Sequence, residues 1–231
     1  MRRGGIVPFL GGVILAVVLI GSIAAVLYIG HRHKKDAGPV REIGTFNASE
    51  ILVKAVVGDV RIVSANVSGV VVKSNLPIKA VPSGGSLTVY CPAKKIPGLG
   101  ERSACNGYRN GMVVIGVGSK LDEVSVRKTV GDVEVKANTS KLIIEDVVGD
   151  VRADAPTGCM LTKVVGDVSI RAEGDVRMNN IVGDVRIAVP ADFSVQLSVE
   201  NVMGDVENDH RGMGRTIHIE VSHVIGDVRV E

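Results

Sequence analysis

The sequence predicts an all-β repeat domain, a β-solenoid of stacked coils, preceded by one N-terminal transmembrane α-helix. Three observations predict this fold class. The tripeptide Gly-Asp-Val recurs eight times in a chain of 231 residues. An alternation of apolar and polar residues follows the copies, which is typical of a strand with one buried face. An uncharged apolar stretch at residues 6–30 is long enough to cross a bilayer.

The composition agrees with this class and disfavours two kinds of function. The chain has 28 glycines, 3% aromatic residues and no Trp, which favours short strands and tight turns. A deep ligand pocket is disfavoured, because aromatic side chains usually line such pockets. Without Arg2 and Arg3 the chain has 25 basic and 25 acidic residues. Such a neutral domain lacks the basic face that nucleic-acid binding requires.

The N-terminal part of the chain is predicted to be a membrane anchor. Residues 1–5 form a basic flank, residues 6–30 a transmembrane helix and residues 31–44 a polar linker. The apolar segment is too long for the hydrophobic region of a cleaved signal peptide. Pro8 fits the first turn of the helix, where its missing N–H costs nothing.

The side of the membrane that the repeat domain occupies is harder to predict. Basic residues flank the apolar segment on both sides, so the positive-inside rule does not decide. Three Asn-x-Ser sequons favour an exported domain, because they matter only outside the cytoplasm. We therefore expect a single-pass protein with an extracytoplasmic repeat domain. The sequons begin at Asn47, Asn66 and Asn138.

The cysteines also bear on the compartment. Cys91 and Cys105 flank a Gly-rich stretch within residues 75–120, which we predict to be a loop-rich insertion in the repeat domain. In an exported domain these two residues are candidates for a disulfide. Cys159 would then be left over as a small buried apolar residue.

The repeat itself spans residues 45–231 and predicts a turn followed by a short strand. From the second copy onward the spacing indicates a unit of about 17 to 22 residues, with one copy at half that period. Gly suits a turn with positive φ, and Asp can accept hydrogen bonds from nearby backbone N–H groups. The repeated turns are Gly58-Asp59, Gly131-Asp132, Gly149-Asp150, Gly166-Asp167, Gly174-Asp175, Gly183-Asp184, Gly204-Asp205 and Gly226-Asp227.

Two architectures could use this unit, stacked coils or a sandwich of antiparallel strands. The nearly constant tripeptide favours stacking, because stacked coils share one register and hairpins would not need the same turn each time. The last copy ends at Glu231 with no capping helix after it. This predicts an exposed final coil, and such an end favours assembly.

Stacking would place the aspartates in a column at about 5 Å spacing, where like charges repel. Backbone hydrogen bonds, outward arginines or bound Ca²⁺ could each relieve the repulsion. The longer signature of known calcium-binding β-rolls is missing. No phosphate-binding loop, nucleophile motif or metal-ligand spacing stands out. The sequence thus predicts no catalytic residue, no cofactor-binding residue and no metal ligand.

The repeat resembles a putative adhesin family of otherwise unknown function, which carries a Gly-Asp β-repeat of roughly twenty residues. The resemblance covers about residues 45–231 and is strongest from Val124 onward, while residues 62–121 contain no Gly-Asp-Val. It implies a β-repeat domain at a cell surface or membrane. Residues 2–8 also resemble the start of archaeal type IV pilins, although the acidic residue usual in many pilins is absent.

Taken together, these features predict a membrane-anchored, non-enzymatic β-repeat protein that acts as a surface scaffold or adhesin-like module. Two alternatives remain at this stage. One is a subunit of a pilin-like or solenoid-stacked extracellular filament, and the other is a membrane scaffold that faces the cytoplasm. The expected partners are the membrane, a second copy of the chain, or a surface protein or glycan, and no nucleic acid.

Overall fold

The computed structural model describes residues 34–96, 100–155 and 157–231. The predicted transmembrane segment at residues 6–30 lies outside these ranges. Within them, no helix has the length and apolar character needed to span a bilayer. Strands and one short 3-10 helix at Ala104–Gly107 are the regular elements of the described residues, so the all-β prediction is confirmed.

Most of the strands are short, and most lie in pairs that follow one another closely along the chain. They are β1 Lys35–Asp36, β2 Arg41–Phe46, β3 Glu50–Lys54, β4 Asp59–Ser64, β5 Val70–Ser74, β6 Lys79–Ser83, β7 Ser86–Tyr90, β8 Ala93–Ile96, β9 Gly100–Ser103, β10 Tyr108–Arg109, β11 Met112–Val117, β12 Glu123–Val130, β13 Val133–Lys136, β14 Leu142–Val148, β15 Val151–Ala155, β16 Gly158–Val165, β17 Val168–Ala172, β18 Asp175–Val182, β19 Val185–Ala188, β20 Phe193–Met203, β21 Val206–Asn208, β22 Arg215–Ile225 and β23 Val228–Val230.

Two large sheets contain most of these strands. Sheet I has the order β20-β22-β18-β16-β14-β12-β3-β7-β6, and sheet II has the order β2-β5-β11-β4-β13-β15-β17-β19-β23-β21. From β12 onward the chain alternates between the sheets, with even-numbered strands in sheet I and odd-numbered strands in sheet II. We call each sheet I strand together with the sheet II strand that follows it a rung.

Successive rungs pair in parallel and in register. Val126 of β12 lies beside Ile144 of β14, which lies beside Leu161 of β16 and then Met178 of β18. These side chains are all buried. Because side chains alternate along a strand, one face of each sheet is apolar and the other is wet. The apolar faces form a single core of Val, Ile and Leu side chains.

The last two rungs are not stacked in sequence order. β22 pairs with β18 on one side and with β20 on the other, and β23 likewise lies between β19 and β21. After β19 the chain skips one rung position and forms β20 and β21 at the end of the stack. It then returns, and β22 and β23 occupy the skipped position. The expectation that the chain end forms the exposed final coil is wrong, because the edge strands are β20 and β21.

The other end of the stack is closed by antiparallel strands. In sheet I, β6 pairs antiparallel with β7, and β7 pairs parallel with β3. In sheet II, β5 pairs antiparallel with both β11 and β2. The strands β7 and β11 come from residues 75–120, so part of that region continues the two parallel ladders.

The region around residues 75–120 also contains a disulfide between Cys91 and Cys105, with the two Cα atoms 5.9 Å apart. Cys159 is a free and buried cysteine. Burial of the thiol raises the pKa of Cys159, because the thiolate would lose its hydration. The thiolate is the reactive form of a cysteine, so this residue is expected to be inert in the folded chain.

Thiol labelling tests this arrangement. The folded, unreduced chain should incorporate no thiol reagent, because the remaining thiol is buried. Unfolding without a reductant should release one reactive thiol, and unfolding after reduction should release all three. Mass spectrometry counts the labels. Rapid labelling of the folded chain at Cys159 would contradict this account.

Candidate functional site

Seven of the eight Gly-Asp-Val turns lie in one column that crosses the rungs. In this column Gly166 has φ +145°, and a Cβ built on it would lie 2.3 Å from the carbonyl oxygen of Gly149. Gly149 stands in the same relation to Gly131. The turn thus needs glycine for two reasons, the left-handed backbone and the backbone of the neighbouring rung.

The aspartates of these turns form a ladder of hydrogen bonds between rungs. The backbone N–H of Asp184 donates to Oδ1 of Asp167 at 3.0 Å, and the N–H of Asp167 donates to Oδ1 of Asp150 at 3.0 Å. The same bond joins the rungs from one end of the column to the other. The further bonds are Asp132 to Asp59, Asp150 to Asp132, Asp227 to Asp184 and Asp205 to Asp227.

This ladder relieves the repulsion expected within a column of carboxylates. A hydrogen bond from a backbone N–H to an ionised carboxylate is stronger than one between neutral groups. Among the residues that the structure describes, no group of three or more His, Cys, Asp or Glu side chains is placed to hold a metal ion. Backbone hydrogen bonds relieve the repulsion along the column, and an outward arginine, Arg152, also lies 3.9 Å from the Asp150 carboxylate.

Substitutions at Asp167 separate a hydrogen-bonding role from a metal-binding role. Asp167→Asn keeps a side-chain oxygen that can accept the N–H of Asp184, so the melting temperature should change little. Asp167→Ala removes the acceptor and should cost about 1 kcal/mol of unfolding free energy. Calorimetry with and without a chelator completes the test. A melting temperature that falls on adding the chelator would show instead that the aspartates hold a cation.

Near the aspartates, charged side chains on the outward face form ion pairs both between neighbouring rungs and within one rung. Glu134 lies between Lys136 at 2.7 Å and Arg61 at 3.4 Å. The hydrogen bond from Lys136 holds the pKa of the Glu134 carboxyl below its usual value. Arg229 also pairs with Glu207 of the edge rung. These ion pairs are exposed, so each adds little to stability.

The eighth turn, Gly174-Asp175, lies elsewhere and explains the half-period. Asp175 begins β18 in sheet I, whereas the other turns precede strands of sheet II. Its Oδ1 accepts the backbone N–H of His218 at 2.9 Å. Asp175 thus makes the same kind of hydrogen bond to a neighbouring rung, but at a turn outside the column. A Cβ on Gly174 would lie 2.2 Å from the carbonyl oxygen of Thr157.

A row of exposed aliphatic side chains runs beside the main turn column. Each member directly precedes the glycine of a turn, at the end of a sheet I strand. Their exposed fractions lie between 45% and 71%. We call this row the valine stripe; it comprises Val130, Val148, Val165, Val182, Ile225 and Met203, in the order in which the rungs stack.

The register shows that the valine stripe is continuous. Val130 pairs with Val148, Val148 with Val165, and Val165 with Val182, so neighbours lie in adjacent strands of one sheet. At about 4.8 Å per strand, six members form a ridge roughly 24 Å long. Scattered exposed apolar residues are normal, whereas a contiguous row of them makes this ridge a candidate interaction surface.

A row of residues with left-handed backbone, polar except for Ala55, borders the valine stripe, three positions before each glycine. A non-glycine residue with positive φ is uncommon, and here it recurs in phase. Asn201 and His223 belong to this row, and their side chains meet at 3.3 Å. Lys163 and Asp146 also belong and pair at 3.7 Å. The complete row is Ala55, Lys128, Asp146, Lys163, Asn180, His223 and Asn201.

The structure thus places most of the Gly-Asp turn residues predicted from the sequence in one column, where they have a structural role. The valine stripe was not predicted, although the sequence does show an apolar residue before every glycine of the column. That residue is Val, Ile or Met in all seven copies of the column. In β14, alternation from the buried Ile144 would place Val148 inward, but the left-handed Asp146 shifts the alternation and leaves Val148 exposed. The residue before the exceptional Gly174 is Glu173.

No family model matches the chain, and no curated protein matches it. Solved structures that are similar include a putative cell adhesion protein from Clostridium sporogenes, with 15% identity, 83% of this chain and 97% of that chain covered, and a TM-score of 0.45. A putative adhesin from Bacteroides fragilis has 15% identity, coverage of 84% and 96%, and a TM-score of 0.48. A putative lipid binding protein from Parabacteroides distasonis has 16% identity, coverage of 82% and 96%, and a TM-score of 0.34.

Proposed function

We propose that this chain is a membrane-anchored β-solenoid that acts as a non-enzymatic surface scaffold or adhesin-like module, and that it binds its partner through the valine stripe. The parallel, in-register rungs support the solenoid. The uncharged segment at residues 6–30 supports the anchor. The valine stripe is the observation that carries the binding role.

The valine stripe suits adhesion better than recognition of a small molecule. It is a long ridge whose members repeat every rung, so it offers many equal contacts to an extended apolar surface and few directional ones. A ligand pocket would instead be concave with a few polar groups placed to orient the ligand. Each half-exposed member could add roughly 1 kcal/mol on full burial, since complete burial of a Val side chain is worth about 1.5–3 kcal/mol.

Threonine substitutions in the valine stripe test the binding role. The triple variant V148T/V165T/V182T keeps β-branched side chains of the same shape but replaces a methyl group with a hydroxyl in each. Beads that carry the full-length protein should attach about 10- to 100-fold less to an alkyl-coated surface, because up to about 1 kcal/mol is lost per residue. Val81→Thr is the matched control, because Val81 is 44% exposed but lies outside the stripe.

Equal attachment by the triple variant and the wild type would contradict the proposed role of the valine stripe. The location of the domain needs its own measurement. Protease added to intact cells should remove an epitope near Glu231 while it spares a cytoplasmic control. Protection until the cells are lysed would place the domain in the cytoplasm and would leave a cytoplasmic scaffold as the function.

A further inference from the structure

The edge rung, β20 and β21, leaves its inward side chains incompletely covered. Leu197 is partly exposed, whereas its neighbour Ile219 in β22 is fully buried. Val206 is 44% exposed, whereas its neighbour Val228 is 1% exposed. The same inward positions are covered on both sides in the interior rungs. The hydrophobic core is therefore open at this end of the stack.

The backbone of the edge rung is open as well. β20 is the longest strand together with β22, at eleven residues, and β22 is its one strand partner among the described residues. Asp205 donates its N–H to Asp227, but no described residue donates a backbone N–H to the Asp205 carboxylate. The aspartate ladder thus ends here with an unused acceptor.

The edge strand also lacks the residues that normally protect an exposed edge. Natural proteins place lysines or prolines on such strands to prevent pairing with another chain. The eleven residues of β20 contain one charged side chain, Glu200, and no proline. By contrast, β6 at the other end of sheet I is five residues long and carries both Lys79 and Pro82.

From these contrasts we infer that the open edge of β20 pairs with β20 of a second copy of this chain, in antiparallel orientation around a two-fold axis. The opposite edge of sheet I is the short strand β6, whose Lys79 and Pro82 disfavour pairing with β20, so we expect like ends to meet. A two-fold contact of this kind is closed and gives a dimer, whereas head-to-tail stacking would give a filament.

The sequence of β20 fits pairing with itself. If the axis passes beside Leu197, that residue faces its own copy, Val195 faces Val199, and the inward apolar side chains all stay on the core side. Glu200 then faces Ser194, so the two carboxylates are not opposed. The dimer would cover the apolar ends of both cores with each other and add one antiparallel ladder.

Sedimentation of the full-length chain in detergent tests the inference. The wild type should contain two polypeptides of 24.2 kDa per particle at micromolar concentration. Leu197→Lys places a charge at the centre of the inward edge and should give particles with one polypeptide. Gln196→Lys is the matched control, because it puts the same charge on the outward face of the same strand, and it should remain a dimer.

A cysteine variant keeps the test independent of any folding defect in Leu197→Lys. Leu197→Cys should form an intermolecular disulfide under mild oxidation, because paired strands bring opposed Cα atoms to about 4.5–5.5 Å. Val81→Cys on β6 should remain uncrosslinked. A wild type that stays monomeric at every concentration, or assemblies that grow without limit as concentration rises, would overturn the dimer.

Discussion

Replacing Gly166 with alanine should lower the free energy of unfolding by about 2–6 kcal/mol. The turn holds Gly166 at φ +145°, and an added Cβ would lie 2.3 Å from the carbonyl oxygen of Gly149. The strained backbone should cost about 1–3 kcal/mol. The overlap with the neighbouring rung should cost about another 1–3 kcal/mol, because a backbone carbonyl cannot move aside as a side chain can. Urea unfolding followed by circular dichroism measures the loss.

Gly158→Ala supplies the matched control for that substitution. Gly158 begins β16 in the same rung, its φ is not positive, and the nearest atom to an added Cβ, the Asp175 carbonyl oxygen, lies 4.0 Å away. Alanine there should be neutral or slightly stabilising, because it reduces the freedom of the unfolded chain. Equal unfolding curves for Gly166→Ala and Gly158→Ala would show that the turn column does not hold the rungs as described.

The second large effect is expected from Leu161→Ala, which should cost about 2–5 kcal/mol. Leu161 is fully buried in a central rung, between Ile144 and Met178 of the neighbouring strands. Neighbouring rungs fix the backbone on both sides, so the cavity left by the truncation cannot collapse easily.

The adjacent residue provides its control. Met160 is 43% exposed and faces outward on the same strand. Met160→Ala should change the unfolding free energy by about 0.5 kcal/mol or less. The ratio of the two effects tests whether β16 has one buried and one wet face. Similar losses for both variants would mean that the strand is not two-faced.

The turn and strand of the repeat could be predicted from the sequence because they depend on local chemistry. Gly, Asp and the alternating residues after them are determined by backbone conformation and by the period of a strand. The exposure of Val148 and its equivalents was not predicted, because alternation along β14 from the buried Leu142 and Ile144 would place Val148 inward. The left-handed residue Asp146 shifts that alternation. Only the register of neighbouring rungs shows that these residues line up.

The order of the last rungs could not be predicted from the sequence. β20 and β22 both contain alternating apolar residues, and both precede a Gly-Asp-Val turn, so either could pair with β18 on pattern alone. The choice rests on long-range contacts such as the hydrogen bond from Asn179 to Ser222 at 2.8 Å. The connection between β21 and β22 also brings His210 to the carbonyl oxygen of Phe193, at 2.9 Å.

Crosslinking between engineered cysteines tests the stacked-rung account most directly. Arg186 of β19 lies directly beside Arg229 of the adjacent strand β23, so their Cα atoms should lie within the range that a disulfide can bridge. Glu207 is one rung further away, at about 9.6 Å, which is too far. We expect a disulfide in R186C/R229C and none in R186C/E207C. The opposite result would show that the rungs stack in sequence order, and failure of both pairs would contradict the parallel stack itself.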